Sequence, residues 1–178
     1  KEEKIPDMQK DFPYIASRAE LNHYAGGIVP WHWHKAVEIF YVEHGAVKYY
    51  TPHREYVFPE GSGGMLNTNV LHMTKPVDNN TVQLLHIFDS ALVSGKSDSR
   101  IDLKYISPLI SEGAEMIPLT AGIYEQKVLL DKIREAFCLS EQVFGYEIKL
   151  REAMSDIWLD FLKISLTSET SKKQCVHM

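Results

Sequence analysis

The chain has 178 residues, with 19 Lys and Arg against 24 Asp and Glu and a formal charge of -5, a length that suits one domain of ordinary size, with or without a small appendage. That charge excludes the basic footprint that tight nucleic-acid binding needs, and no apolar run approaches the ~20 residues of a membrane-spanning helix. Two cysteines, Cys138 and Cys175, fit neither a secreted disulfide framework nor a zinc site, which points to a reducing, cytoplasmic setting.

Residues 1–20 read as an N-terminal extension. From residue 21 to about residue 89 the sequence runs in short segments rich in Val, Ile, Tyr, Phe and Thr, broken by Gly, Pro and Asn. That pattern predicts strands at 27–34, 37–42, 46–51, 55–58, 64–67 and 81–88, closing into a sandwich, jelly roll or barrel rather than a parallel sheet. Pro52-His53-Arg54 supplies a hairpin turn, and Gly61-Ser62-Gly63-Gly64 a turn that brings backbone close to a neighbour.

A polar connector at 94–99 and a mixed stretch ending at Pro118 close this region, so the barrel with its trailing connector is placed at 21–118. From residue 122 to residue 140, Ile123, Leu130, Ile133 and Phe137 share one helical stripe. After a break near Gly145, a second helix carries Leu150, Met154, Ile157, Phe161 and Ile164 at alternating spacings of four and three, with Trp158 beside them. Such a heptad-like seam predicts an antiparallel helix pair over 119–166 that packs on the barrel and offers Leu150, Met154, Ile157, Trp158 and Phe161 to a second subunit. The polar tail at 167–178, with Lys172-Lys173, reads as a linker.

The densest chemistry lies in Trp31-His32-Trp33-His34, followed by Glu38. Side chains two apart on a strand share a face, so His32 and His34 point together, and Glu38 keeps their parity if the chain stays extended. Two imidazoles and a carboxylate are donors that Zn, Fe, Mn or Ni accepts. Without an ion, the same groups in an apolar barrel would recognise a small polar molecule. His72 is a candidate fourth group. Phe40 and Val42 follow the same parity inward, and His86 has the parity of Leu84 and Phe88, which places it near the pocket or in the core. Trp31, Trp33, Tyr41, Tyr49, Tyr50, Tyr56 and Phe58 read as packing residues that could also stack on an effector, while His23, His44 and His53 fall in loops without an assigned role.

The run Gly26, His32, His34, Glu38, Gly45 resembles the first cupin motif, and Pro59-Glu60-Gly61 through His72 resembles the second, with irregular glycines and Asn67 and Asn69 before the histidine. The resemblance implies a double-stranded β-helix barrel in which His32, His34, Glu38 and His72 are the candidate ligands of a divalent metal. Val29-Pro-Trp-His-Trp-His, Val37-Glu-Ile-Phe-Tyr-Val and Asn69-Val-Leu-His72 are similar to the sensor domains of AraC-type regulators. That second resemblance implies a mainly β domain followed by a helical dimerisation hairpin, in a homodimer. It also implies a small-molecule effector, a sugar or other metabolite, bound by His32, His34, Glu38, Phe40, His72 and His86, and DNA contact only through a helix-turn-helix domain absent from this sequence. The rival reading is a metal-dependent cupin enzyme, an oxygenase or isomerase.

Overall fold

The computed structural model describes residues 1–5 and 8–175. Among these described residues nine strands form two antiparallel sheets that face each other as a jelly-roll barrel. β1 (Tyr14–Glu20), β8 (Val82–Phe88), β3 (Val37–His44), β6 (Gly63–Leu66) and β9 (Met116–Leu119) lie in that order in one sheet. The other has the order β2 (Val29–His32), β7 (His72–Pro76), β4 (Ala46–Tyr50), β5 (Glu55–Pro59). Alternation decides what each face does. In β3, Phe40 and Val42 point between the sheets to meet Val47, Tyr49 and Phe58, while Val37 and Ile39 point outward.

The outward face of the five-stranded sheet is apolar because helices cover it. α1 (Ala91–Ser94), a π-helical turn (Asp102–Ile106) and α2 (Ser107–Ser111) bridge β8 to β9, and α3 (Tyr124–Phe137) and α4 (Tyr146–Cys175) follow. Leu129, Leu130 and Ile133 of α3 join Leu150, Met154, Ile157, Trp158 and Phe161 of α4 in one core with Val37, Ile39, Met65 and Phe88. Trp158 Nε1 donates to Tyr105 O at 2.8 Å, which satisfies a polar atom buried in that core.

Two glycines are required by space. Gly45, at φ +72°, joins β3 to β4, and a Cβ there would lie 3.0 Å from Asn80 O. At Gly63 a Cβ would overlap the carbonyl oxygen of Phe40, so only glycine lets β6 lie against β3 in this register.

Four expectations are corrected here. Residues 14–20 are not an extension but an edge strand paired along β8 from Tyr14↔Phe88 to Glu20↔Val82. The mixed stretch before Pro118 contains β9, which tolerates its proline because it pairs only with β6. The tail from residue 167, expected as a separate polar segment, continues α4 as helix through Cys175; residues 176–178 and the side chains of Lys172, Lys173 and Cys175 lie outside the described residues. Leu150, Met154, Ile157, Trp158 and Phe161 are no more than 1% exposed, spent on the barrel's outer face and not presented to a second subunit. Among the described residues no helix is long and apolar enough to cross a membrane.

Candidate functional site

The site lies between the sheets at the end where the chain crosses from one to the other. β2 and β7 pair so that His32 stands opposite His72. The chain then bends through residues 34–36 into β3 of the facing sheet, which carries Glu38 inward from the other side. His32, His34 and His72 converge, with ring nitrogens within 4.8 Å of one another.

Each ring is held by the same device. Nδ1 of His32 donates to Pro30 O at 2.7 Å, that of His34 to Ala36 O at 2.9 Å, and that of His72 to Val70 O at 2.9 Å. A carbonyl oxygen only accepts, so each Nδ1 carries a proton, and in the neutral ring the Nε2 lone pair is presented to the cavity. His34 is 3% exposed and its Nε2 has no hydrogen-bond partner. Burial, only partly offset by the Glu38 charge, pushes the His72 ring down to about 4, so it is neutral at physiological pH.

Two carboxylates flank the three rings. Glu38 Oε2 lies 3.5 Å from His34 Nε2, while its other oxygen accepts the Tyr49 hydroxyl at 2.6 Å. Gln83 Nε2 in turn donates to Tyr49 Oη at 3.1 Å. Burial works to raise Glu38, but contacts with His34, His72 and Tyr49 outweigh it and hold the carboxyl at about 2. The same pairing draws His34 upward against its own burial. The second carboxylate was not anticipated: Glu3 Oε2 lies 3.2 Å from His32 Nε2. A β-bridge between Glu2 and Trp33 carries it there, with Glu3 N donating to Trp33 O and Trp33 N to Lys1 O.

These groups line a partly enclosed cavity of about 160 Å³, with Ser17, Ala19, Thr74, Gln83, Leu85 and Ile87 completing much of its wall. Among the described residues that line it there is no Lys or Arg. The cavity is smaller than the few hundred Å³ usual for drug-sized ligands, which limits an occupant to a small molecule or an ion.

Of the residues expected to form the site, the fold brings His32, His34 and His72 together and sets Glu38 beside the cluster rather than in it, because Tyr49 holds its carboxylate in the wall. Phe40 does not reach the cavity. It lies beneath, stacked on Tyr49 at 4.6 Å and edge-on to Phe58 at 4.8 Å. His86 faces away, because Gln83, Leu85 and Ile87 take the inward face of β8 and the alternate residue meets the helices. Trp31 is exposed on the outer side of β2. Tyr49, Thr74 and Gln83 are polar positions on strand faces that turn inward, a signal available from parity alone. Glu3 had no such signal.

Residues 14–93 match the family model described as the AraC-like ligand binding domain. None of the curated proteins matches the chain in sequence. Among solved structures, ToxT from Vibrio cholerae O395 bound to (E)-4-(8-methylnaphthalen-1-yl)but-3-enoic acid is similar with a TM-score of 0.55 and 10% identity, over 85% of this chain and 57% of that one. Another crystal form of Vibrio cholerae ToxT has a TM-score of 0.50 and 10% identity, over 90% of this chain and 57% of that one. A mutant of Bacillus subtilis oxalate decarboxylase overlaps 35% of this chain and 18% of that one, at 22% identity and a TM-score of 0.32. The chain thus spans little more than half the length of the ToxT chains and under a fifth of the decarboxylase.

Proposed function

We propose that the chain, whose residues 14–93 match the model of the AraC-like ligand binding domain, is the effector-sensing part of an AraC-type transcriptional regulator. In this reading a small molecule enters the barrel and controls DNA binding by a helix-turn-helix domain. The single observation that carries it is the convergence of three backbone-anchored imidazoles in a partly enclosed cavity on this scaffold. Their Nε2 atoms accept hydrogen bonds from a polar effector, and Glu38 fixes the local charge. In this reading the work is recognition.

The residues also fit a divalent first-row metal. Nδ1–H to carbonyl bonds are how metal-binding histidines are oriented, and a buried Nε2 without a partner at His34 suits a coordinating role. His32, His34 and His72 would hold the ion, which when bound would supply a positive anchor for an effector oxygen. A homodimer, if formed, would use surface other than the buried α4 seam, and Tyr124 and Leu159 are exposed on the helices.

The test is a thermal-shift screen of sugars, organic acids and phenolics on the purified chain, each with and without Zn²⁺ or Mn²⁺, beside elemental analysis. A ligand at a hundred times its Kd should add about 2.7 kcal/mol of stability, and substituting His32, His34 and His72 by Ala should remove the response. A hit that survives those substitutions would place recognition elsewhere. Stoichiometric metal together with steady turnover of a compound would favour the cupin enzyme.

A further inference from the structure

We propose that Glu3, rather than Glu38, is the carboxylate that completes a cation site with His32, His34 and His72, so that a divalent first-row metal ion fastens the N-terminal segment across the pocket. The proposal rests on the histidine pocket being the ligand site.

Its physical basis is a clash of acceptors. With each Nδ1 proton committed to a backbone carbonyl, a neutral ring turns a lone pair toward whatever faces Nε2. At His32 that neighbour is a Glu3 oxygen at 3.2 Å, and at His34 a Glu38 oxygen at 3.5 Å. Two acceptors at these separations repel unless a proton or a cation lies between them. One metal ion meeting the three nitrogens relieves both contacts; among the described residues lining the cavity there is no Lys or Arg, although Lys1 and Lys4 share an outer groove with Glu3. Three imidazoles and one carboxylate form a donor set suited to Zn, Mn, Fe or Ni.

The two acids differ in what already holds them. Glu38 stands on β3 of the opposite sheet, tied to Tyr49, which is itself tied to Gln83. Glu3 is half-exposed, and its carboxylate meets His32 Nε2. The backbone pairing with Trp33 already sets Glu3 beside the cluster, with Ile5 following it into the cavity wall. Coordination through Glu3 therefore needs only a side chain to settle, whereas Glu38 has one oxygen held by Tyr49 in the wall and can offer only Oε2.

The experiment is calorimetric titration of the chain with Zn²⁺ and with Mn²⁺ alone, paired with hydrogen exchange at residues 1–5, for wild type, Glu3→Gln and Glu38→Gln. Glu3→Gln is expected to weaken the preferred ion by about tenfold or more and to abolish the ion-dependent protection of residues 1–5, while Glu38→Gln keeps that protection. The reverse pattern would make Glu38 the ligand and overturn the proposal. Absence of ion binding by wild type, beside stabilisation by a metabolite that needs the three histidines, would overturn it as well and leave the effector pocket standing. Loss of every ligand response without any dependence on the histidines would remove the pocket reading itself.

Discussion

At His86 one imidazole serves two elements: Nδ1 accepts from the Tyr14 hydroxyl at 2.7 Å, and Nε2 donates to Ile133 O, in the middle of α3, at 2.9 Å. That assignment uses one proton, so the ring fits its site only when neutral. A second proton on Nδ1 would face the Tyr14 hydroxyl, which burial keeps in its protonated, donating form. Burial, against a smaller opposing effect of the Ile133 carbonyl, pushes the His86 ring from 6.5 down to about 4. The folded pKa lies below the unfolded one, so the contribution is complete above about 6.5 and is lost as pH falls through about 4. At full size it is of the order of 3 kcal/mol. His86→Phe should therefore cost about 1–3 kcal/mol at pH 7, where it strands the Tyr14 hydroxyl, and the gap from wild type should shrink near pH 4.5. Urea midpoints at the two pH values measure this. An equal gap at both would mean that His86 is not held neutral.

At the scale of elements, the α4 seam shows how far periodicity carries and where it stops. The spacing of Leu150, Met154, Ile157 and Phe161 was enough to identify a helix with one apolar face, but it does not say which surface covers that face. A sheet and a second helix satisfy the same pattern. The sheet takes it here, since β3, β6 and β8 each turn alternate apolar residues outward and would otherwise expose them. Met154→Ala or Phe161→Ala should cost about 2–5 kcal/mol in chemical denaturation, whereas Leu159→Ala on the exposed side should stay within about 0.5 kcal/mol. If Met154→Ala instead left stability intact and altered only the sedimentation of the chain, the seam would be an intermolecular contact.

The same limit explains what else was and was not legible. Period-two reading placed His32 and His34 on one face, and motif spacing added His72. β1 was missed because Ser17, Arg18 and Glu20 interrupt its apolar alternation, although β8 pairs along its whole length. Glu3 was out of reach for a different reason. Its place beside His32 comes from backbone pairing across 30 intervening residues, from Glu2 to Trp33, and nothing local in Lys1-Glu2-Glu3 announces it.

For the molecule as a whole, the question is how a small occupant of the barrel could be felt by the helices. β8 is the connection the fold provides. It lies between β1 and β3 in the sheet, with Gln83, Leu85 and Ile87 on the cavity wall. Its alternate residues face the helices: His86 bonds to Ile133 of α3, and Phe88 meets Trp158 of α4 edge to face at 6.3 Å. A shift of the inward residues moves the outward ones, because they belong to one strand with fixed alternation. Packed interiors transmit such displacement rather than absorb it. An effector influences the helices only through unequal affinity for two of their arrangements. The compound or ion that stabilises the chain in the thermal screen should therefore slow hydrogen exchange in α3 as well as in β2, β7 and β8. In His86→Phe the strands should keep their protection while the α3 response weakens, since the polar tie between strand and helix is gone. Equal α3 protection in wild type and His86→Phe would route the coupling through apolar packing alone. Protection confined to the strands in wild type would mean that occupancy of the barrel is not relayed to the helices through β8.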